Sequence, residues 1–389
     1  MRIAQIAPLY ERVPPRLYGG TERVVSYLTE ELVRRGHEVT LFASGDSQTS
    51  AKLVRCCDVA LRLSPIVADP LPYHVIMLEE VRRRANQFDI LHFHIDFLHG
   101  PLVRDFAGRT ITTLHGRLDL PHVLPFYKVF ADLPLVTVSN DQRKYLSAAN
   151  WVGTVHHGLP ASLLFPYREK PSGGYLAFLG RIAPEKRPDR AIEIAVKAGM
   201  QLKIAAKVDR VDLAYWEQTI RPLVQAHPNV EYIGEIAEHE KPEFLGNASA
   251  LLFPVDWPEP FGLVLIEAMA CGTPIIAFKC GSVSEIVDEG VSGFIVESVN
   301  EATAAIARIP TLDRAKVRAT FKRRFTVERM ADDYLQLYRR LIDTQALSRR
   351  RAAANPMPAQ REETEAGRHL DGSLAHTSQG FTRLETPAG

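Results

Sequence analysis

Cysteine is scarce in this sequence: four in 389 residues, Cys56, Cys57, Cys271 and Cys280. None forms a CxxC pair and no His/Cys cluster has zinc spacing, which argues against structural zinc. They read as small buried residues of a reducing compartment. An excess of charge of one sign is lacking too. Lys plus Arg is 47 and Asp plus Glu is 46, a net charge of +1. That argues against a protein held to nucleic acid mainly by bulk charge. No apolar run approaches the roughly 18 residues a membrane helix needs. Met1-Arg2 leads directly into a strand-like stretch, so no signal segment and a cytoplasmic location are expected. At roughly 150 residues per domain, the length implies two or three domains. With 46% apolar and 24% charged residues, the chain can bury full cores without metal or disulfide staples.

Short apolar runs alternate with helix-length amphipathic runs, the pattern of βαβ units and parallel sheets. Residues 1–7 predict a first strand, followed by a loop rich in Pro and Gly. In residues 21–35, Val24, Val25, Leu28, Leu32 and Val33 recur at i, i+3, i+4 spacing, which predicts a helix capped by Thr21 and ended by Gly36. Further strands are expected at 37–43, 90–93, 110–114, 135–138 and 154–156. Residues 159–174 carry three prolines and two glycines without a clean period, the composition of an interdomain linker. The alternation then restarts, with strands expected at 175–179, 202–205, 230–233, 250–254 and 274–278. Residues 326–343 predict one last amphipathic helix. From Thr344 on there is no Ile, Val, Tyr, Trp or Cys, too little apolar surface to offset ordering entropy, so disorder is expected over 344–389. The run Arg349-Arg350-Arg351 reads as solvated charge.

Four loops can carry chemistry. The most informative is Glu259-Pro260-Phe261-Gly262-Leu263-Val264-Leu265-Ile266-Glu267, continuing to Gly272-Thr273-Pro274. It follows a buried strand. Gly262 permits an unusual backbone conformation or close ligand approach, and a helix from Leu263 presents unpaired amides suited to a diphosphate. Glu259 and Glu267 both face the carboxyl ends of the strands, where open α/β sheets bind ligands. In the second, Gly180-Arg181 through Glu185-Lys186, two cations on one strand-to-helix loop can clamp phosphates. Taken alone, that loop fits solvated basic side chains equally well. In the third, Gly19-Gly20 opens the first helix. It is not GxGxxG, and no acidic residue closes a second strand, so a dinucleotide site is disfavoured. In the fourth, His115 ends a strand on the same side of the sheet, where imidazole can meet a substrate hydroxyl. His92, His94 and His99 have no evident carboxylate or cysteine partner. They are assigned structural or substrate-rim roles, and no metal.

Assembled, these residues resemble the retaining nucleotide-sugar glycosyltransferases of family four, over residues 1–343. Glu259 to Glu267 looks like the family's Glu-x7-Glu signature, and Gly180-Arg181 with Glu185-Lys186 looks like its basic donor-phosphate motif. Gly19-Gly20 and His115-Gly116 match its glycine loop and active-site histidine. The opening segment through Tyr18-Gly19-Gly20-Thr21-Glu22 is similar to a bacterial subgroup of antibiotic-type enzymes.

The resemblance implies an α/β GT-B fold: two Rossmann-like, doubly wound domains facing across a cleft. Residues 1–165 would form the acceptor-side domain and 166–325 the nucleotide-sugar domain, with the helix at 326–343 crossing back to the first. It implies that Arg181 and Lys186 hold the diphosphate with amides of Gly262 and Leu263, and that Glu267 takes the ribose hydroxyls. Glu259, with the Phe261 and Gly262 backbone, would hold the donor sugar. The turn Gly234-Glu235-Ile236 would pack beside the base, Gly19 and Gly20 would approach the donor phosphate, and His115 would lie near the transferring sugar. The activity implied is metal-independent transfer with retention, from a UDP- or GDP-linked donor and without a further cofactor. The acceptor stays open among a saccharide, a lipid-linked sugar and a small molecule, and with it peripheral membrane contact. A GT-B epimerase or hydrolase, and a catalytically silent sugar-nucleotide-binding subunit, are the alternative readings.

Overall fold

Thirteen short strands assemble into two all-parallel sheets in a computed structural model that describes residues 1–62, 64, 66–164 and 174–354. The first sheet holds β1 (Arg2–Ile6), β2 (Glu38–Ser44), β3 (Lys52–Cys57), β4 (Ile90–Phe93), β5 (Thr110–Leu114), β6 (Leu135–Thr137) and β7 (Trp151–Thr154), in the order β3-β2-β1-β4-β5-β6-β7. The second holds β8 (Leu176–Arg181), β9 (Leu202–Lys207), β10 (Val230–Gly234), β11 (Ala250–Phe253), β12 (Ile275–Phe278) and β13 (Gly293–Val296), in the order β10-β9-β8-β11-β12-β13. Central strands such as β11, with Ala250, Leu251 and Leu252 buried, read as continuous apolar runs because helices cover both faces of a parallel sheet. Each strand order reverses once, between β1 and β4 and between β8 and β11. That reversal opens a crevice at the carboxyl ends of the strands, where such sheets take ligands.

The last helix runs Val327–Ala354, past the residue at which the sequence pattern ends it. Met330, Tyr334, Leu337 and Tyr338 pack it against Ile3, Leu28 and Val136 of the first sheet's layer, so it crosses back as the resemblance implied. Entry into it is tight. A Cβ on Gly158 would lie 2.2 Å from the Thr326 carbonyl oxygen, a contact only glycine tolerates. The chain divides into one unit over Met1–Leu347 and a second from Ser348. The disorder expected over 344–389 fails where it can be checked, since 344–354 is helical; the remainder lies outside the described residues, as do 165–173 of the expected linker.

Other expectations need correction. Thr21 does not cap the first helix, Gly20–Arg34; its N-cap is Gly19, at φ 153°, with no side-chain cap bond. The strand expected at 154–156 is β7, three residues earlier in its start, and β3 and β13 were not anticipated. β3 is an edge strand with Lys52 and Arg55 exposed, so its alternation is broken by charge. Cys56 and Cys57 sit on it half-buried, whereas Cys271 is buried. No helix among the described residues is long and apolar enough to cross a membrane.

Candidate active site

The two sheets turn their carboxyl ends toward a single cavity of about 530 Å³. Of the residues singled out above, Gly19, Gly20, His115, Arg181, Lys186, Glu235, Ile236, Glu259, Phe261, Gly262, Leu263 and Glu267 line it. Gly234 lies one residue behind, ending β10 with φ 82°.

Gly262 adopts the left-handed conformation (φ 78°) and N-caps the eight-residue helix Leu263–Ala270 with no side-chain cap bond. The first amides of such a helix have no intrahelical partner and carry partial positive charge. The loop before it is pinned from behind. Ser282 donates from its amide to the Glu259 carbonyl (3.0 Å) and from Oγ to the Phe261 carbonyl (3.0 Å). Gly281 fits there because a Cβ would meet the Glu259 carbonyl oxygen at 2.4 Å. The glycine loop faces this helix from the other sheet: a Cβ on Gly20 would stand 3.4 Å from Leu263 Cδ1.

Six cations line the cavity (Arg23, Arg62, Arg181, Lys186, Lys207 and Lys241) against four carboxyl groups, Glu22, Glu235, Glu259 and Glu267. Arg181 and Lys186 are already engaged. Arg181 donates to Asp212 (2.8 Å) and to Glu185 (2.5 Å). Lys186 pairs with Glu259, which also accepts from Trp257 Nε1 (2.9 Å), while the ammonium sits 4.4 Å from the Trp257 ring centre. The Arg181 and Lys186 side chains are only 21% and 17% exposed, so an arriving anion meets charges in a partly dry, low-dielectric space. These carboxylates hold the cations in place before any ligand comes.

Several contributors were invisible in the sequence. Lys241 donates to Glu267 (2.7 Å) and to Glu238 (2.9 Å). Glu238 is reached from the first sheet's side by Arg23 (2.6 Å), whose guanidinium is held protonated above its ordinary range by that carboxylate despite burial. Arg62 and Lys207 converge on Asp209, at 2.9 and 3.1 Å. Glu235 accepts from the Tyr18 amide (3.0 Å). The two halves are thus clasped across the cleft by ion pairs from elements far apart in sequence. Locally Arg23, Arg62, Lys207 and Lys241 look like solvated charge, and no spacing signal marks them.

Glu22 was missed for a different reason: it sits in the first turn of a helix, where an acidic residue is unremarked. It is 5% exposed. Burial, with Glu11 nearby, pushes its carboxyl up to about 7, against partial relief from the backbone amides of Glu22 and Glu11. A carboxyl that binds its proton more tightly folded than unfolded adds stability at low pH, and loses it as pH rises from the ordinary carboxyl range through about 7. Glu22→Gln is therefore expected to melt with the wild type near pH 5 and above it at pH 8. The gain has an upper bound of about 3 kcal/mol. Equal offsets at both pH values in a thermal melt would refute this.

His115 follows β5 directly and stacks on His157 at 5.2 Å. Burial lowers it to about 3, so at neutral pH it is an imidazole and not a cation. His92 and His94 share one strand face, their rings 4.0 Å apart. His99 Nε2 bonds Thr112 Oγ1 at 2.6 Å. Among the described residues no three His, Cys, Asp or Glu side chains gather as a metal-holding group.

This geometry coincides with what the chain is related to. Residues 18–157 match the model of Glycosyltransferase Family 4, and residues 164–324 match that of Glycosyl transferases group 1. The chain is 25% identical to D-inositol 3-phosphate glycosyltransferase of Mycobacterium marinum, over 88% of this chain and 86% of that one. Among solved structures it is similar to AviGT4, a glycosyltransferase involved in avilamycin A biosynthesis (TM-score 0.68, 24% identity, 88% of this chain and 98% of that one). It is also similar to HepE of Anabaena in complex with UDP-glucose (TM-score 0.62, 16% identity, 89% and 100%). The fold and site define a glycosyltransferase of GT-B architecture, and the chain belongs to glycosyltransferase family 4.

Proposed function

We propose that this enzyme moves a sugar from a nucleoside-diphosphate sugar to an acceptor hydroxyl, with retention of configuration and without a metal. One observation carries the reading. Arg181, Lys186 and the uncapped amino end of the Leu263 helix converge on one cavity, opposite Gly19 and Gly20. That is a cradle for the charge that develops on a departing diphosphate. Preorganised donors in a partly dry cleft stabilise such charge without reorganising, the service a divalent ion supplies elsewhere.

In this reading the bond from the anomeric carbon to the phosphate oxygen breaks and the sugar passes through an oxocarbenium-like state. The acceptor oxygen bonds the same face, and its proton goes to the leaving phosphate oxygen. Arg181 and Lys186 exchange their carboxylate partners for phosphate oxygens. Glu259, released from Lys186, accepts from sugar hydroxyls beside the Phe261 and Gly262 backbone, and Glu267 accepts from the ribose. The turn at Gly234, Glu235 and Ile236 borders the base. Residues 166–325 act as the donor domain and 1–165 as the acceptor side, with the acceptor met by the segments 44–72 and 117–134. The complex of HepE with UDP-glucose favours a uridine donor, with GDP-sugars the other class to test. The free cysteines fit a cytoplasmic enzyme.

A thermal-shift panel of nucleoside diphosphates and nucleotide sugars identifies the donor, since selective stabilisation follows binding to the native state. Turnover of that donor is then followed with and without EDTA. The expected result is an unchanged rate and a product of retained configuration. Loss of activity in chelator with recovery in Mn²⁺ would overturn the metal-free reading, and an epimerised free nucleotide sugar would overturn transfer.

A further inference from the structure

Behind His115 runs a buried hydrogen-bonded chain that the transfer steps above leave unused. It begins on the last helix. Tyr338 Oη accepts from Gln5 Nε2 (3.3 Å) and bonds His92 Nδ1 (2.7 Å). His92 Nε2 bonds Thr113 Oγ1 (2.7 Å), which in turn bonds Tyr334 Oη (2.9 Å). Gln5, His92, Tyr334 and Tyr338 are fully buried, and His94 is nearly so.

The chain has a direction. With its amide nitrogen on Tyr338, Gln5 turns Oε1 to His94 Nε2 at 2.8 Å. A carbonyl oxygen only accepts, so His94 carries its proton on Nε2. Burial holds His94 well below the usual histidine range, so the ring is neutral and its Nδ1 is a bare lone pair. That Nδ1 lies 2.9 Å from His115 Nε2, which must therefore carry the proton. His115 is neutral as well, which leaves its Nδ1 as a lone pair. This Nδ1 is buried and has no hydrogen-bond partner among the described residues. An unmet buried acceptor costs stability, and this one belongs to a ring that lines the cleft.

We propose that Gln5 and His94 are positioning residues that lock His115 in the Nε2–H tautomer, so that its Nδ1 accepts a hydrogen bond from a hydroxyl of the donor sugar. The inference rests on the transfer reading for the ligand, but the tautomer itself does not. The direction matters chemically. A hydroxyl that donates becomes richer in electron density, which favours the positive charge building on the sugar ring as the leaving group departs. A hydroxyl that accepts becomes poorer and opposes it. The last helix thereby takes part in the site without touching it, since Tyr338 sets the orientation of the Gln5 amide.

Nitrogen-15 spectra of the histidine rings, with His115 assigned by comparison with a His115→Gln variant, read the tautomer in the intact protein. The expected result is a protonated Nε2 and a bare Nδ1. A protonated Nδ1 overturns the inference whatever the enzyme turns over. In His94→Leu, checked for folding by its melt, the His115 signals should shift toward a tautomer mixture. Release of UDP from UDP-glucose should fall about ten-fold or more. His94→Asn, whose carbonyl oxygen can stand where Nδ1 stood, should restore most of both. If His94→Leu folds and leaves tautomer and rate unchanged, the positioning role is refuted. If the wild type releases no nucleotide from UDP-glucose or GDP-mannose, the transfer reading fails while the ring spectra still decide the tautomer.

Discussion

Arg181→Ala is expected to lower turnover by a factor of about 10²–10³, since loss of one preorganised donor to a developing anion raises a barrier by about 3–4 kcal/mol. The geometry makes the loss specific. Arg181 ends β8 with its guanidinium spread between Asp212 and Glu185, so the two carboxylates aim the fork at the cavity. Alanine leaves both carboxylates without their cation beside the proposed diphosphate, which adds repulsion to the missing attraction. Arg181→Lys keeps the charge but not the planar fork and should recover only part of the rate. The Asp212 and Glu185 side chains are 11% and 28% exposed, so water can still reach them and the variant should fold. A steady-state assay on the donor found by thermal shift, paired with a melt, reads both quantities. A fully active Arg181→Ala enzyme would remove the arginine from the site.

The second large effect belongs to Glu267 and falls on a different constant. Its side chain is 5% exposed and holds Lys241 at 2.7 Å. In the proposed complex it accepts from the ribose hydroxyls. Each hydrogen bond to a charged acceptor is worth about 1.5–3 kcal/mol, so Glu267→Ala should raise the donor KM about ten- to several-hundred-fold. The ribose does not change in the reaction, so kcat should move much less, the mark of binding shared by ground and transition states. Folding should survive, because Lys241 keeps Glu238 at 2.9 Å. Lys241→Met is the informative contrast. It strands the buried Glu267 carboxylate and should cost several kcal/mol of stability, visible as a lower melting temperature. A Glu267→Ala enzyme with normal KM and collapsed kcat would point to a role in the chemical step instead.

The contrast between Arg181 and Lys241 shows what the sequence could and could not reveal. Arg181, Lys186, Glu259 and Glu267 stand in two strand-to-helix segments, Glu267 within the helix itself, so their spacing alone places them at the carboxyl ends of β8 and β11. The strands that carry them are continuous apolar runs, as in β11 and β12, and the buried interior of a parallel sheet leaves that imprint. Lys241, Arg23, Arg62 and Lys207 come from four separate elements, and only folding brings them to the cleft. Lys241 follows Glu238-His239-Glu240, which locally reads as a solvated charge run. Edge strand β3 was hidden for a related cause: Lys52 and Arg55 face water and interrupt its pattern. His94 was placed on the right strand face by its i, i+2 spacing with His92. Its bond to His115 depends on the neighbouring strand β5, and no single-strand pattern encodes that register.

The proposed mechanism depends on where one diphosphate sits, and the most direct test is a crystal structure with UDP. It predicts phosphate oxygens within hydrogen-bond distance of Arg181, Lys186 and the amides of Gly262 or Leu263, with Glu259 parted from Lys186 and no ion between. A nucleotide seated away from these groups, or one whose phosphates are bridged to the protein by a divalent cation, would contradict it.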